Sequence, residues 1–546
     1  GGTRPWSVIR SAPLRRLRDD RSMEPAYTVA QIREAEQLAY EGLPEDTLMQ
    51  RAAFGLATHC ARLLRADRGL IAGATIVVLA GSGNNGGDAL WAAAFLARRG
   101  ASVTAILLAP AWHRESAAAL VRSGGRVEPV DLGLHGRLIN EADVVLDAVL
   151  GIGGSGALRS PAAEVAALAA ASPATVVAVD LPSGVDADTG AVADTGAVVV
   201  AEETVTFGCL KPGLLVSPGA DHAGQITVID IGLQFGAVGA PALHRVTEHE
   251  AALLLPMPGV RDDKYTRGVV GVVAGSEPYP GAGVLCSGSA RLGGAGMVRY
   301  AGGAPEQVIA RWPEVVIAST GPANAGRVQA WVAGPGAGVD AQARTRLVEV
   351  LQSDVAVVID ADGLTLVSQD QELRDLVAER RREALITILT PHAGEFARFG
   401  FPLAQGSDSD RVGAVRAAAA SLGAVVLLKG HETVVAEPNG TAFVNTLSDS
   451  ALATAGSGDV LSGLLGSMLA AEIARNAGLD FVGAAELAAC AALVHGLAGQ
   501  IASSDGYPVT SESVLEAVPE ATSTLRRRRD SDAVGSDAQN AGATDA

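Results

Sequence analysis

Short runs of β-branched and aliphatic residues recur along this chain with almost no polar residue inside them, and Ala- and Leu-rich stretches separate one from the next. A strand that is apolar at every position, rather than at alternate ones, has both faces buried. Helices must then cover both faces. That selects a parallel sheet inside an α/β/α sandwich over an antiparallel sandwich or a helical bundle. In the first half the strand-like runs are 75–80, 102–108, 143–149, 175–180 and 198–207, with helical stretches at 90–99 and 161–171 and a helical lead-in at 29–40 and 46–64. The alternation lapses over 235–263, where Gly and Pro are interspersed without period. It restarts at 269–274, 331–333, 355–360, 385–389 and 424–429, and two long Ala-rich helices, 460–475 and 481–503, close it. A chain of 546 residues exceeds one ordinary core. The expected fold class is α/β, two different three-layer α/β/α domains in tandem: 23–234, a linker at 235–263, and 264–520. Residues 1–22, six arginines around a short apolar patch, read as a targeting arm or a dispensable disordered leader. Residues 521–546 read as a disordered tail, since four successive arginines followed by Ser, Asp, Gly, Ala and Asn cannot bury a core.

The formal charge of −18 argues against a nucleic-acid partner, whose phosphates it would repel. Backbone N–H groups can still hold a small anion locally. Apolar stretches are broken before reaching membrane-spanning length, so no membrane partner is expected. Cys60, Cys209, Cys286 and Cys490 have no metal-ligand spacing, which fits free thiols in a cytoplasmic protein.

Three polar clusters end strands of the first half. Gly81-Ser82-Gly83-Asn84-Asn85-Gly86-Gly87-Asp88 follows the first strand and opens a helix, a geometry that offers N–H groups to an anion. Asp147-Ala148-Val149-Leu150 runs into Gly151-Ile152-Gly153-Gly154-Ser155-Gly156-Ala157, and Val179-Asp180-Leu181-Pro182-Ser183-Gly184-Val185-Asp186 ends another strand. In open parallel sheets ligands bind beyond the carboxyl ends of the strands, and three clusters there are more than caps.

These residues resemble the NAD(P)H-hydrate epimerase domain, a Rossmann-like module. The resemblance implies that Asn84, Asn85, Gly86, Gly87 and Asp88, with the 151–157 loop (Gly151, Ile152, Gly153, Gly154, Ser155, Gly156 and Ala157), hold the dinucleotide. It implies that Asn85, Asp147 and Ser183 ligate K⁺ and that Asp180 touches the reacting nicotinamide. Ala89 and Ile152 depart from the family's pattern of Gly and Thr.

In the second half, Ala455-Gly456-Ser457-Gly458-Asp459 leads directly into an apolar helix. It reads either as an anion hole with a carboxylate beside it or as a flexible turn with an acidic cap. Thr390-Pro391-His392-Ala393-Gly394-Glu395, Lys429-Gly430-His431-Glu432-Thr433, Asp360-Ala361-Asp362 and Gly334-Pro335-Gly336-Ala337-Gly338 also end strands, while Lys264-Tyr265-Thr266-Arg267-Gly268 precedes one and reads either as an ordinary solvated charge cluster or, from its place, as a phosphate-facing lid. The set, in this order, is similar to the ADP/ATP-dependent NAD(P)H-hydrate dehydratases of the ribokinase-like superfamily. The resemblance implies that Ala282, Gly338, His392 and Asp459 contact the hydrated cofactor and that Lys429, Gly430, His431, Glu432, Thr433 and Gly458 contact ADP. Asp459 would be the catalytic base, and Mg²⁺ would accompany the nucleotide without a dedicated protein cage.

Both halves together resemble the bifunctional repair enzymes that epimerise R and S NAD(P)H hydrates (NADHX, NADPHX) and dehydrate the S form with ADP, giving AMP and phosphate. A homo-oligomer is expected. The alternative is a ribokinase-like small-molecule kinase fused to a nucleotide-sensing Rossmann domain, and a further one is a first half that only binds protein.

Overall fold

The computed structural model describes residues 23–542 except Glu45, Ser155, Asp194, Thr195, Asp505 and Tyr507, with side chains up to Arg529. The expected leader, 1–22, lies outside the described residues.

The first sheet has seven parallel strands in the order Arg126–Pro129, Ser102–Leu107, Thr75–Ala80, Val144–Ala148, Thr175–Val179, Glu203–Phe207, Gln225–Ile229. The chain builds outward from Thr75–Ala80 in one direction and then returns to build in the other. This is the doubly wound arrangement of a Rossmann-like domain. Alternate residues of one strand serve opposite layers, as a period of two requires. Ile76, Val78 and Ala80 pack with Leu56, Leu64, Leu90 and Leu96, whereas Val77 and Leu79 pack with Val165, Ala166 and Ala169.

The second sheet has eleven strands. Its central run, Val425–Leu428, Thr387–Leu389, Ala356–Ile359, Ala330–Ala333, Val269–Val273, Met297–Tyr300 and Val316–Ile317, is parallel throughout. Two antiparallel steps, Thr433–Ala436 and Ala442–Asn445, extend one edge. Val270 and Val272 pack against the helices Ser457–Arg475 and Phe481–Ser503, and Val269 and Val273 face the layer holding Leu347, Leu364 and Val377. Phe481–Ser503 is long and apolar enough to cross a membrane, yet 94% of its most apolar window is buried inside the fold. Cys60, Cys209, Cys286 and Cys490 are all buried and none is joined in a disulfide.

Three expectations change. The 235–263 segment is more than a linker: Leu243–Arg245 pairs with Ala442–Asn445, and Glu248–Leu254 is a helix with a Thr247/Glu250 capping box. A three-residue strand is too short to display a period. Glu24–Ala26, assigned by sequence to the first domain, pairs antiparallel with Leu243–Arg245 and so joins the second sheet. The tail does not begin at 521. The helix Ser511–Gly542 carries Val514, Val518, Ala521 and Leu525 along one buried stripe, and Arg526 donates to Pro256 O at 2.9 Å. Arg527 and Arg528 are exposed, whereas Arg526 and Arg529 are half-buried at the margin of the core stripe.

The two halves share packing. Leu210, Leu215 and Val216 from the first are buried in one cluster with Leu243, Phe396, Val412, Val415 and Val434.

Candidate active sites

Strand order in the first sheet reverses between Thr75–Ala80 and Val144–Ala148, and a cleft of about 430 Å³ lies beyond their carboxyl ends. The helix Asn84–Ala97 starts three residues after its strand. So tight a turn needs Gly81, where a Cβ would stand 2.0 Å from Val149 O. Asn84, Asn85 and Asp88 line the cleft, as do Gly151, Ile152, Gly153, Gly154 and Asp180. Gly86 and Gly87 are buried instead: a Cβ on Gly86 would strike Gly81 O, and one on Gly87 would press Met49 and His113. The absence of a side chain at both lets the turn close. Gly156 and Ala157 stand outside the cleft lining, with Ala157 packed against Gly196, and Ser155 lies outside the described residues.

Asp180 sits at φ +68°, a left-handed backbone uncommon for a residue with a side chain. Its Oδ1 accepts from Lys211 Nζ at 2.6 Å, Thr206 Oγ1 at 3.1 Å and Phe207 N at 3.2 Å. Lys211, 1% exposed, uses its remaining protons on Thr206 Oγ1 (2.7 Å) and Phe207 O (2.9 Å). Every ammonium proton is thus placed, Asp180 Oδ1 is saturated, and Oδ2 is the oxygen left for a ligand. Burial, then Asp180 and Glu36, push the Asp88 carboxyl well above its ordinary value. Burial and Asp180 likewise raise Glu36, with Lys211 and Arg33 partly offsetting them. A pocket this rich in carboxyl groups favours a ligand that carries or develops positive charge.

Behind the cleft, the fully buried Asp147 accepts from Ser183 N at 2.8 Å and Ser183 Oγ at 2.7 Å, and burial raises its carboxyl to about 6. Asn85 donates to Leu150 O at 3.0 Å, while its Oδ1 is buried without a partner. Ser183 Oγ also accepts from Leu150 N at 2.8 Å, so Asn85, Ser183 and Asp147 are linked through Leu150, and the orphaned Asn85 Oδ1 is the hard oxygen among them that a cation could take.

In the second domain, Ser457–Arg475 is a 19-residue helix whose entry residue, Gly456, has φ +88°. Ser457 N donates to Thr454 O at 3.3 Å, and the next N–H groups of the first turn, Gly458 and Asp459, have no partner within the helix. Asp360, 1% exposed at the end of Ala356–Ile359, accepts from Lys429 Nζ at 2.7 Å and Ser462 Oγ at 2.6 Å. Burial alone would push the Lys429 ammonium down, but Asp360, Glu395 and Asp459 around it hold it above the usual lysine value. Burial first, then Asp360, push Asp459 up to about 7 against the pull of Lys429, and Asp362 adds to the rise. Such a carboxyl is poised to take a proton near neutrality. Ser457 Oγ lies 3.2 Å from Nε2 of His495, which burial drives down to about 4 and so keeps neutral.

Gly338 N donates to Asp362 Oδ2 at 2.9 Å, and Ala282 packs against Gly336 of the same loop. His392 caps its helix, its Nδ1 accepting from Gly394 N (3.0 Å) and Glu395 N (3.4 Å), while 56% of its side chain stays exposed. Its backbone bridges to Lys429, so both stand at one sheet edge. Gly458 sits in the anion-hole turn, where a Cβ would be 3.4 Å from Lys429 Nζ. His431 is exposed. Glu432 is buried and engaged by Ser217, and Thr433 starts the next strand. Lys264–Gly268 corrects the lid placement: it precedes Val269–Val273 and so lies at the amino edge of the parallel strands, opposite the anion hole.

Sequence reading missed Lys211, Glu36, Ser462 and His495. For Lys211 one signal existed, a lysine directly before Pro212-Gly213 at the end of an apolar run. The other three come from helix interiors and carry no local mark.

Each half thus holds a glycine-turned helix start and a lysine paired with a buried carboxylate at the ligand-binding edge of a parallel sheet, which defines the class: a tandem two-site α/β enzyme for nucleotide-like substrates. Residues 45–213 match the family model described as YjeF-related protein N-terminus, and residues 270–520 match that described as NAD(P)H-hydrate dehydratase. The bifunctional NAD(P)H-hydrate repair enzyme Nnr of Mycobacterium leprae is 48% identical over 489 residues, covering 89% of this chain and 96% of that one. Nnr of Mycobacterium tuberculosis is 49% identical over 451 residues, covering 82% and 89%. An ADP/ATP-dependent NAD(P)H-hydrate dehydratase of Bacillus subtilis, crystallised with ATP and Mg²⁺, is 23% identical with a TM-score of 0.42, covering 51% of this chain and 97% of that one. The chain belongs to the family of bifunctional NAD(P)H-hydrate repair enzymes.

Proposed function

We propose that the first site interconverts the R and S hydrates of NADH and NADPH and that the second dehydrates the S hydrate with ADP. The observation that carries the reading is the pairing, in one chain of this family, of a carboxyl-rich cleft with an anion hole whose neighbouring Asp459 is held near neutrality. In the first site the C6 hydroxyl leaves, the ring becomes cationic, and the hydroxyl returns to either face. The Asp180 carboxylate, fixed by Lys211, stabilises that cation. In the second, Asp459 takes the C6 hydroxyl proton as the oxygen attacks the β-phosphorus of ADP, and AMP leaves toward the helix start and Lys429. Loss of phosphate from C6 with a proton from C5 restores the double bond.

Asn85, Asp147 and Ser183 would hold K⁺, a reading supported by the orphaned Asn85 Oδ1; bound there, it would supply fixed positive charge beneath the glycine loop. Asp360 and Asp362 are already engaged, by Lys429 with Ser462 and by Gly338, so Mg²⁺ would be carried by the phosphates of ADP. The reading includes a cytoplasmic homo-oligomer with no nucleic-acid or membrane partner.

The test is recovery of reduced-nicotinamide absorbance from purified R, S and mixed hydrates. With ADP, all three are expected to recover fully. A stable phosphorylated product without NADH would instead favour the kinase. For K⁺, the wild-type protein is expected to melt on the order of 2–4 °C higher in K⁺ than in Li⁺. Asn85→Leu should abolish the difference; if it persists, the ion binds elsewhere.

A further inference from the structure

The carboxylate of Glu432, in the turn assigned to the nucleotide, is held by a residue of the other domain. Ser217 N donates to Glu432 Oε2 at 3.1 Å, and Ser217 Oγ stands 3.0 Å from Oε1. Glu432 is 3% exposed, with His431 Nε2 3.9 Å from its Oε1, and the same Ser217 Oγ also stands 3.0 Å from Asp221 Oδ1, so Ser217 ties the Glu432 carboxylate to the Asp221 turn of the first domain. On the other side the turn rests on Arg411: a Cβ on Gly430 would lie 2.1 Å from its Nη2, which donates to Lys429 O at 3.3 Å. The turn is therefore gripped between Arg411 of its own domain and Ser217 of the first. Ser217 is itself held in place. The two residues before it, Leu215 and Val216, are fully buried against Phe396, Val412 and Val415 of the second domain. A cavity of about 320 Å³ abuts this junction, with walls from Ser217, Pro218 and Asp221 on one side and Gln405, Asp410 and Arg411 on the other.

We propose that Ser217 is a positioning residue for the nucleotide turn Lys429–Thr433, so that the epimerase domain completes the ADP site of the dehydratase domain. The proposal rests on the reading above that this turn contacts ADP. It gives the fusion a second consequence besides supplying the right epimer: the dehydratase half binds ADP fully only when the first half is docked. The same segment begins at Lys211, so one short stretch of chain carries a residue of the first cleft and the clamp of the second site.

The test uses the full chain. Ser217→Ala removes the hydroxyl and keeps the backbone donor. It is expected to raise the KM for ADP, and the calorimetric Kd of ADP, about fivefold, with kcat at saturating ADP within about twofold of wild type. Epimerisation should be unaffected, and Ser217→Thr should restore the KM. A merely structural loss would lower both activities and the melting temperature without splitting KM from kcat, and that result overturns the proposal. An unchanged KM and Kd overturns it as well. If the alanine variant does not fold, Ser217→Cys gives the same comparison. Absence of ADP-dependent recovery in the wild-type protein would instead remove the functional reading itself.

Discussion

Asp459→Asn is expected to lower ADP-dependent recovery of NAD(P)H by about 10²–10⁴-fold while leaving R/S interconversion intact. The amide keeps the size of the side chain beside the helix start but cannot accept the hydroxyl proton. The wild-type pH profile should report the same group. With its carboxyl raised to about 7, Asp459 is mostly protonated below neutrality. The kcat/KM for dehydration should therefore fall roughly tenfold per pH unit below that value and level off above it. The stability sign is the reverse of the usual carboxylate case. A folded carboxyl raised above its unfolded value binds more protons when folded, so its contribution to stability falls as pH rises from about 4 to about 7. Asp459→Asn should lose that fall and unfold at higher denaturant than wild type at pH 8. A variant that still recovers NADH at the wild-type rate, or a wild-type profile flat through neutrality, would remove Asp459 as the base.

Lys211→Met should abolish epimerisation and destabilise the chain by about 3–5 kcal/mol, because it strips the only ammonium from the buried Asp180 carboxylate and leaves that charge unpaired. The double replacement Lys211→Met with Asp180→Asn removes both charges and should regain most of the stability, read as the denaturant midpoint, without regaining activity. Either variant, given ADP and mixed hydrates, is expected to recover only the S fraction. Full recovery would place the epimerisation chemistry elsewhere, and an unchanged denaturant midpoint for Lys211→Met would mean the pair contributes nothing to the fold.

Most of the sheet architecture was legible because both central sheets consist of strands buried on two faces, such as Thr75–Ala80 and Val425–Leu428, whose composition alone marks them. The glycine turns were legible for a similar reason. A strand that hands directly to a helix, as at Gly81, requires glycine, as does the left-handed helix entry at Gly456, and the polar residues that follow then stand out. The short strand Leu243–Arg245 and the edge strand Glu24–Ala26 beside it were not legible, since three residues cannot establish a period and their identity comes from the partner they meet. For Gly86 and Gly87 the sequence does not separate packing from ligand contact. Glycine serves close packing and ligand approach equally, and the closeness of Gly81 O and Met49 shows only in the fold.

By itself the amino-acid sequence marked two α/β halves and their ligand-bearing edges, through hydrophobic period and turn chemistry, and it pointed to Asp180 and Asp459 only through the family resemblance that the motifs carry. Tertiary structure alone decided which cation meets which acid, Lys211 with Asp180 and Lys429 with Asp360, and that Ser217 of one domain holds Glu432 of the other. These pairings join residues 31, 69 and 215 positions apart, and through-space electrostatics in a buried site carries no imprint on the neighbouring sequence.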